Sequence, residues 1–326
     1  MRSTVQHAGC VAVLLCSFST HAAQEGPPEL VKTPILWKGV EVVTNDFDSV
    51  ERIRQVAALA TETLLLISDP KLKAVCDAVR KEAPASRVEC SPVIGATPGG
   101  PPHGWYVIEM DLKERRPLAC VSVSTLGADL QNLVDEWQQA LVKQMLEGVA
   151  PVERVNDQKY LDYANADLSA LAARLHMATK DRARELASAA MSCEPKERTT
   201  SFYLVNFVGD PERFIPAAGY RINDQDSGAA NAATRFLIVF ADFVSPRGVQ
   251  TLAKEACQSV LEGGFTARNK SLSLLNAWRK KGALSFSQLG AECQQQVRDI
   301  ARTSIAEQIA VPARELAGLD ARAEAR

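Results

Sequence analysis

Ser68 and Lys71 stand three residues apart, one helical turn, in Ser68-Asp69-Pro70-Lys71. A lysine at that spacing can take the proton of a serine hydroxyl and make it an acylating nucleophile. Tyr163, in Tyr163-Ala164-Asn165, adds a phenol that could assist the proton transfer, and Lys280-Lys281-Gly282 approximates a third basic element. Against this chemistry stands a plainer reading. Ser68 is also a good helix cap, followed by a proline in the first turn, where no amide hydrogen is needed.

The order of the three elements is similar to that of the penicillin-binding and serine β-lactamase group. Lys280-Lys281-Gly282 lacks that group's hydroxyl residue, and the chain is not assigned to it. No Gly-x-Ser-x-Gly elbow, His-Glu-x-x-His, phosphate loop, dinucleotide fingerprint or Cys-x-x-Cys-His occurs. Residues 95–104 are rich in Gly and Pro and must be a loop. His103 and Trp105 at its end are candidates for a ligand or partner site, or for a hairpin connection with a core tryptophan. Residues 223–228 superficially resemble a calcium loop, but their carboxylates fall between the ligand positions, so a solvated loop is expected. No cofactor and no metal are expected.

The cysteines are the other reactive set. Residues 1–23 read as a secretory signal: a single Arg2, an apolar or small run over 8–18, and small residues before a cleavage point after Ala22 or Ala23. The run is shorter than the about 20 residues needed to span a bilayer. Cys10 and Cys16 leave with this leader. Cys76, Cys90, Cys120, Cys193, Cys257 and Cys293 remain, an even number in a chain bound for an oxidising compartment, where disulfides form. Their spacing fits no zinc site. Sequence leaves the connectivity open. Cys76 with Cys90 is the first choice, since a helix and the next strand are neighbours. Cys257 with Cys293 would join two helices, leaving Cys120 with Cys193. His103 and His176 are the histidines outside the leader.

Composition sets the frame. Of 326 residues, 46% are hydrophobic and 23% charged, with a net charge of −2. That is ordinary for a folded protein and lacks the basic excess of a nucleic-acid surface. No segment after the leader is apolar enough to be a transmembrane helix, so a soluble periplasmic or secreted protein is expected.

The elements expected to position these residues alternate at first. Strands over 40–43, 64–67 and 87–94 are separated by helices from 49 to 60 and after Pro70, with Leu72, Val75, Cys76 and Val79 inward. Residues 105–112 and 118–124 read as a hairpin, so the sheet is expected to be mixed α/β, with helices covering it. A periodic helix follows through Met145 and closes at Gly148. Beyond it, 167–191 reads as helix, and 202–208 and 235–243 as aromatic-rich strands. Ser245-Pro246 opens a helix. Ser285 and Gln288 have capping-box spacing, and the tail after Pro312 is expected to fray.

The resulting division is a signal peptide over 1–23, an α/β lobe over 24–150, a second over 151–264 and a helical segment over 265–326. Cys90-Ser91-Pro92 before Trp105-Tyr106 echoes Cys193-Glu194-Pro195 before Phe202-Tyr203, which raises an internal duplication with a cleft between similar lobes. The function expected is non-catalytic binding of an envelope protein or small ligand. The alternatives are a serine-type hydrolase or acyltransferase using Ser68 and Lys71, and a structural component of an envelope assembly.

Overall fold

A computed structural model describes residues 16–17, 31–58, 61–95, 100–115, 117–122, 126–149 and 151–319. The expected signal peptide, apart from residues 16–17, and residues 96–99 of the Gly/Pro loop lie outside the described residues.

Five strands form one sheet: β1 (Cys16–Ser17), β2 (Ile35–Val43), β3 (Thr63–Leu65), β4 (Val88–Gly95) and β5 (His103–Met110), in the order β1-β4-β5-β2-β3. β2 and β5 run parallel, and the other neighbours are antiparallel. Side chains on a strand alternate between faces, and β5 uses both. Tyr106, Ile108 and Met110 join one apolar cluster with α1 (Val50–Ala57) and α2 (Pro70–Glu82), while Trp105 and Val107 join a larger one on the opposite side. On β2, Val40 and Val42 face α1 and α2, and Val43 faces the other way. A central strand buried on both faces reads as a continuous apolar run, as this one does.

α2 starts as its residues dictate. Asp69, rather than Ser68, is the N-cap and accepts from Lys71 N at 2.9 Å, and Pro70 takes the first helical position. Leu72, Val75, Cys76 and Val79 are its buried face.

The larger cluster belongs to a helical body. It comprises α3 (Ala128–Leu146), a short ribbon of β6 (Glu153–Val155) and β7 (Leu161–Tyr163), α4 (Ala166–Thr179), α5 (Ala183–Ala189), α6 (Pro195–Leu204), α7 (Ile215–Arg221), α8 (Ser227–Val239), α9 (Pro246–Glu262), α10 (Phe265–Lys280), α11 (Ala291–Thr303) and α12 (Glu307–Ala317). The mixed α/β class with a helical C-terminal region therefore holds. Ser245 caps α9, accepting from Gly248 N at 3.2 Å. Among the described residues no helix is long and apolar enough to cross a membrane.

Several expectations fail at the level of elements. The strands expected over 202–208 and 235–243 are helical: α6 and a 3-10 turn in the first case, α8 and another turn in the second. Short apolar runs fit a buried helix as well as a strand. α8 reaches Arg235 from an Asp226 cap through an alanine-rich stretch of high helix propensity. With these strands gone, the echo between the halves does not extend to secondary structure. The hairpin expected over 105–124 is also absent, because both edges of β5 are already taken by β4 and β2. Within 118–122, Val121 makes one parallel bridge to Ser192 instead; residues 123–124 lie outside the described residues. The Ser285–Gln288 capping box closes a 3-10 turn, and α11 starts later, at Ala291. Pro312 lies inside α12, and Ala313 and Leu316 beyond it are buried. Packing on α10 and α11 holds a segment whose own pattern is weak.

All three expected disulfides are formed: Cys76–Cys90, Cys120–Cys193 and Cys257–Cys293.

Candidate functional site

The alternation that places Trp105 and Val107 toward the helical body sends Glu109 the same way. Its Oε1 accepts a hydrogen bond from Phe265 N, at the start of α10, at 2.6 Å. A carboxylate suits this place because the first amides of a helix have no partner within it. Gly264 makes the approach possible, since a Cβ there would lie 2.3 Å from Glu109 Oε1. Glu41 of β2 repeats the device, its Oε2 accepting from Ile305 N and Ala306 N, both at 2.9 Å, where α12 begins. Burial pushes both carboxyl groups above their ordinary range.

Arg268 lies between these anchors and is buried. It donates to the carbonyl oxygens of Gly263 (2.9 Å) and Thr44 (3.0 Å) and to Asn45 Oδ1 (2.6 Å). Burial pushes its guanidinium down to about 10, opposed by Glu109 and Glu41.

A cleft of about 680 Å³ opens beside this docking seam. β4 and the chain leaving β5 line one side, and the start of α8 with the α9–α10 junction lines the other. Its lining is charged. Arg87 pairs with Glu89 at 2.7 Å and Glu114 at 2.8 Å, and Lys113 pairs with Glu262 at 3.0 Å. Arg115 donates to the Asp224 carbonyl at 2.8 Å and to Ser259 Oγ at 3.3 Å. The Arg87 and Lys113 pairs are largely exposed, so exchanging them for a ligand's charges costs little. Ser91, Ser227 and Thr266 also line the cleft, and no histidine does. The arrangement can hold a polar ligand carrying both signs of charge.

The residues singled out from sequence lie elsewhere. Ser68 and Lys71 are exposed at the start of α2. Tyr163 is fully buried in the helical body, where its oxygen accepts from Trp137 Nε1 at 3.0 Å, and burial pushes its hydroxyl far above the ordinary range. With Tyr163 buried there and Ser68 and Lys71 on the surface of α2, the three are not brought together. His103 and Trp105 are both buried on β5, edge to face at 5.2 Å, and burial lowers the imidazole. His176 stacks on Tyr160 at 4.3 Å, and its Nδ1 is 2.7 Å from the Phe207 carbonyl.

The segment expected to be a solvated loop over 223–228 is a correction. Asp224 is 1% exposed and receives Arg198 at 2.9 Å and Arg221 at 3.0 Å, while Asp226 caps α8. Among the described residues no group of three or more His, Cys, Asp or Glu is gathered as a metal site.

Sequence reasoning missed the cleft. Its signals were Glu109, a single carboxylate inside an otherwise apolar strand, and the polar run that joins the two arms of the expected hairpin. No protein-family model matches the chain, and no curated protein or solved structure matches it either.

Proposed function

We propose that this chain is a non-catalytic, exported binding protein that takes a small zwitterionic or peptide-like ligand in the charged cleft between the sheet and the helical body. The observation that carries this reading is the mixed-sign lining, with Arg87, Lys113 and Arg115 beside Glu89, Glu114 and Glu262. Such a surface offers partners to an amine and a carboxylate on one molecule. Export is supported by three disulfides, which persist in oxidising compartments, and by the signal-like N-terminus. The non-catalytic reading is supported by the separation of Ser68 and Lys71 from Tyr163, and by a cleft without histidine.

The test is thermal unfolding of the oxidised chain with a zwitterionic tetrapeptide, citrate or spermidine as probe. A ligand at a hundred times its Kd stabilises by about 2.7 kcal/mol. The expected result is a saturable rise in Tm with the tetrapeptide that is lost in Lys113→Gln. If none of the probes raises Tm, the cleft is not the binding site.

A further inference from the structure

The three disulfides differ in what surrounds them. All four cysteines of Cys76–Cys90 and Cys257–Cys293 are buried. Cys120 and Cys193 are both exposed, so a thiol in solution can reach this bridge. Cys193 directly precedes Glu194, the N-cap of the ten-residue α6. The unpaired amides of a helix start favour a thiolate over a thiol. Ser122 Oγ stands 3.8 Å from Cys193 Sγ as a further hydrogen-bonding group.

Beneath the bridge is a buried charged hub. Arg198 donates from Nη1 to the carbonyls of Ser192 (2.9 Å) and Cys193 (3.0 Å), and from Nη2 to Asp224 Oδ1 (2.9 Å). Arg221 donates from Nη1 to Asp224 Oδ2 (3.0 Å) and from Nη2 to the Ala119 carbonyl (3.1 Å). Arg115 reaches the Asp224 carbonyl. Glu197, accepting from Ser192 Oγ at 2.7 Å, is the second carboxylate. Arg115 also faces Glu109 and Glu262, and the Nε atoms of Arg198 and Arg221 are buried without a hydrogen-bond partner. Arg198 is the guanidinium held directly against the Cys193 backbone.

We propose that Cys120–Cys193 is a thiol–disulfide exchange site for a dithiol protein of the same compartment, and that its reduction loosens the cleft wall. A partner thiolate attacks Cys120 Sγ. The Sγ–Sγ bond breaks with its electron pair on Cys193, the better leaving group beside the helix start. The partner's second thiolate then attacks its own sulfur in the mixed disulfide and releases Cys120. The partner leaves oxidised by two electrons, and its two protons end on Cys120 and Cys193.

The consequence follows from the path of the chain. Residues 112–115 carry Lys113 and Arg115 along the cleft, and residues 117–122 hold Cys120. Without the covalent tie, the far end of this strap keeps the Tyr220 hydroxyl on Ala119 N (2.9 Å), Arg221 on the Ala119 carbonyl, and two backbone bonds of Val121. Control of ligand binding by this step rests on the cleft being the binding site; the exchange itself does not.

The experiment titrates the folded, oxidised chain in buffers of graded reduced-to-oxidised dithiothreitol, alkylates with iodoacetamide and maps the peptides, with hydrogen exchange on the same samples. Cys120 and Cys193 are expected to be alkylated first, at a ratio about tenfold lower than the other two pairs require. Exchange should rise within 112–122 while α9 and α10 stay protected. Reduction of another pair first, or of all three together, overturns the exchange site. Selective reduction without faster exchange in 112–122 overturns the loosened wall. Neither readout uses a ligand, so a cleft that binds none of the probes leaves both outcomes intact.

Discussion

The sheet layer and the helical body both bury charge, but they compensate it differently. Glu41 and Glu109 leave the sheet on its helical-body face and are met by backbone amides at the starts of α12 and α10. Partial charges meet them there, and their carboxyl groups are pushed up by burial. The helical body answers charge with charge: Asp224 carries two guanidiniums, and Glu153 pairs with Arg235. The lesson is one of fragility. An amide-capped acid can take up a proton and stay in place, whereas a buried ion pair stripped of one member leaves an uncompensated ion. The seam between the two regions should therefore respond to pH, and the hub should respond to mutation.

The hub gives the largest test. Asp224→Asn should cost about 3–5 kcal/mol in urea unfolding, because two buried arginines lose their counter-ion. Asp242→Asn, which breaks an exposed pair with Lys281, should cost less than about 1 kcal/mol. Equal losses in the two variants would erase the contrast. The sheet layer has its own fastening, Cys76–Cys90, which ties α2 to β4. Replacing both cysteines by alanine should lower stability by about 3 kcal/mol, measured the same way on protein whose other two bridges remain intact.

The seam is probed by Glu41→Gln. Glu41 titrates above its ordinary 4.5 when folded. The stability linked to its protonated form is therefore complete below that value and is lost as pH rises through the raised one. One such group tilts the stability–pH curve by at most about 1.4 kcal/mol per pH unit. In the glutamine variant the share of this downward tilt that belongs to Glu41 should disappear, leaving that of Glu109. An unchanged curve would mean that Glu41 binds its proton equally well folded and unfolded. The smallest effect lies at the start of α2. Asp69→Ala should cost about 1 kcal/mol for the lost cap, and Ser68→Ala should stay within about 0.5 kcal/mol. A reversal of that order in thermal unfolding would return the cap to Ser68.

Much of the sheet layer was legible because its signals are local. The apolar runs over 87–94 and 105–112, a helix start beside Pro70 and the inward face of α2 each depend on residues a few positions apart, although the cap itself is Asp69 and not Ser68. Cys76–Cys90 followed from the same neighbourhood reasoning, whereas Cys120–Cys193 was only the pair that the other two left. The helical body was legible only in part. Phe202 and Phe236 lie in runs of strand-like composition, and packing on neighbouring helices, with the capped alanine-rich start of α8, made them helical.

The charged cleft was not legible at all, for a related reason. Lys113 reaches forward 149 residues to Glu262, and Arg115 reaches forward 109 to Asp224. Residue types and short spacings determined which segments could be strands, where several helices begin and which cysteines could meet. The tertiary structure alone decided which charges face one another, because a hydrogen bond or ion pair acts over a few ångströms of space whatever the length of chain between its ends.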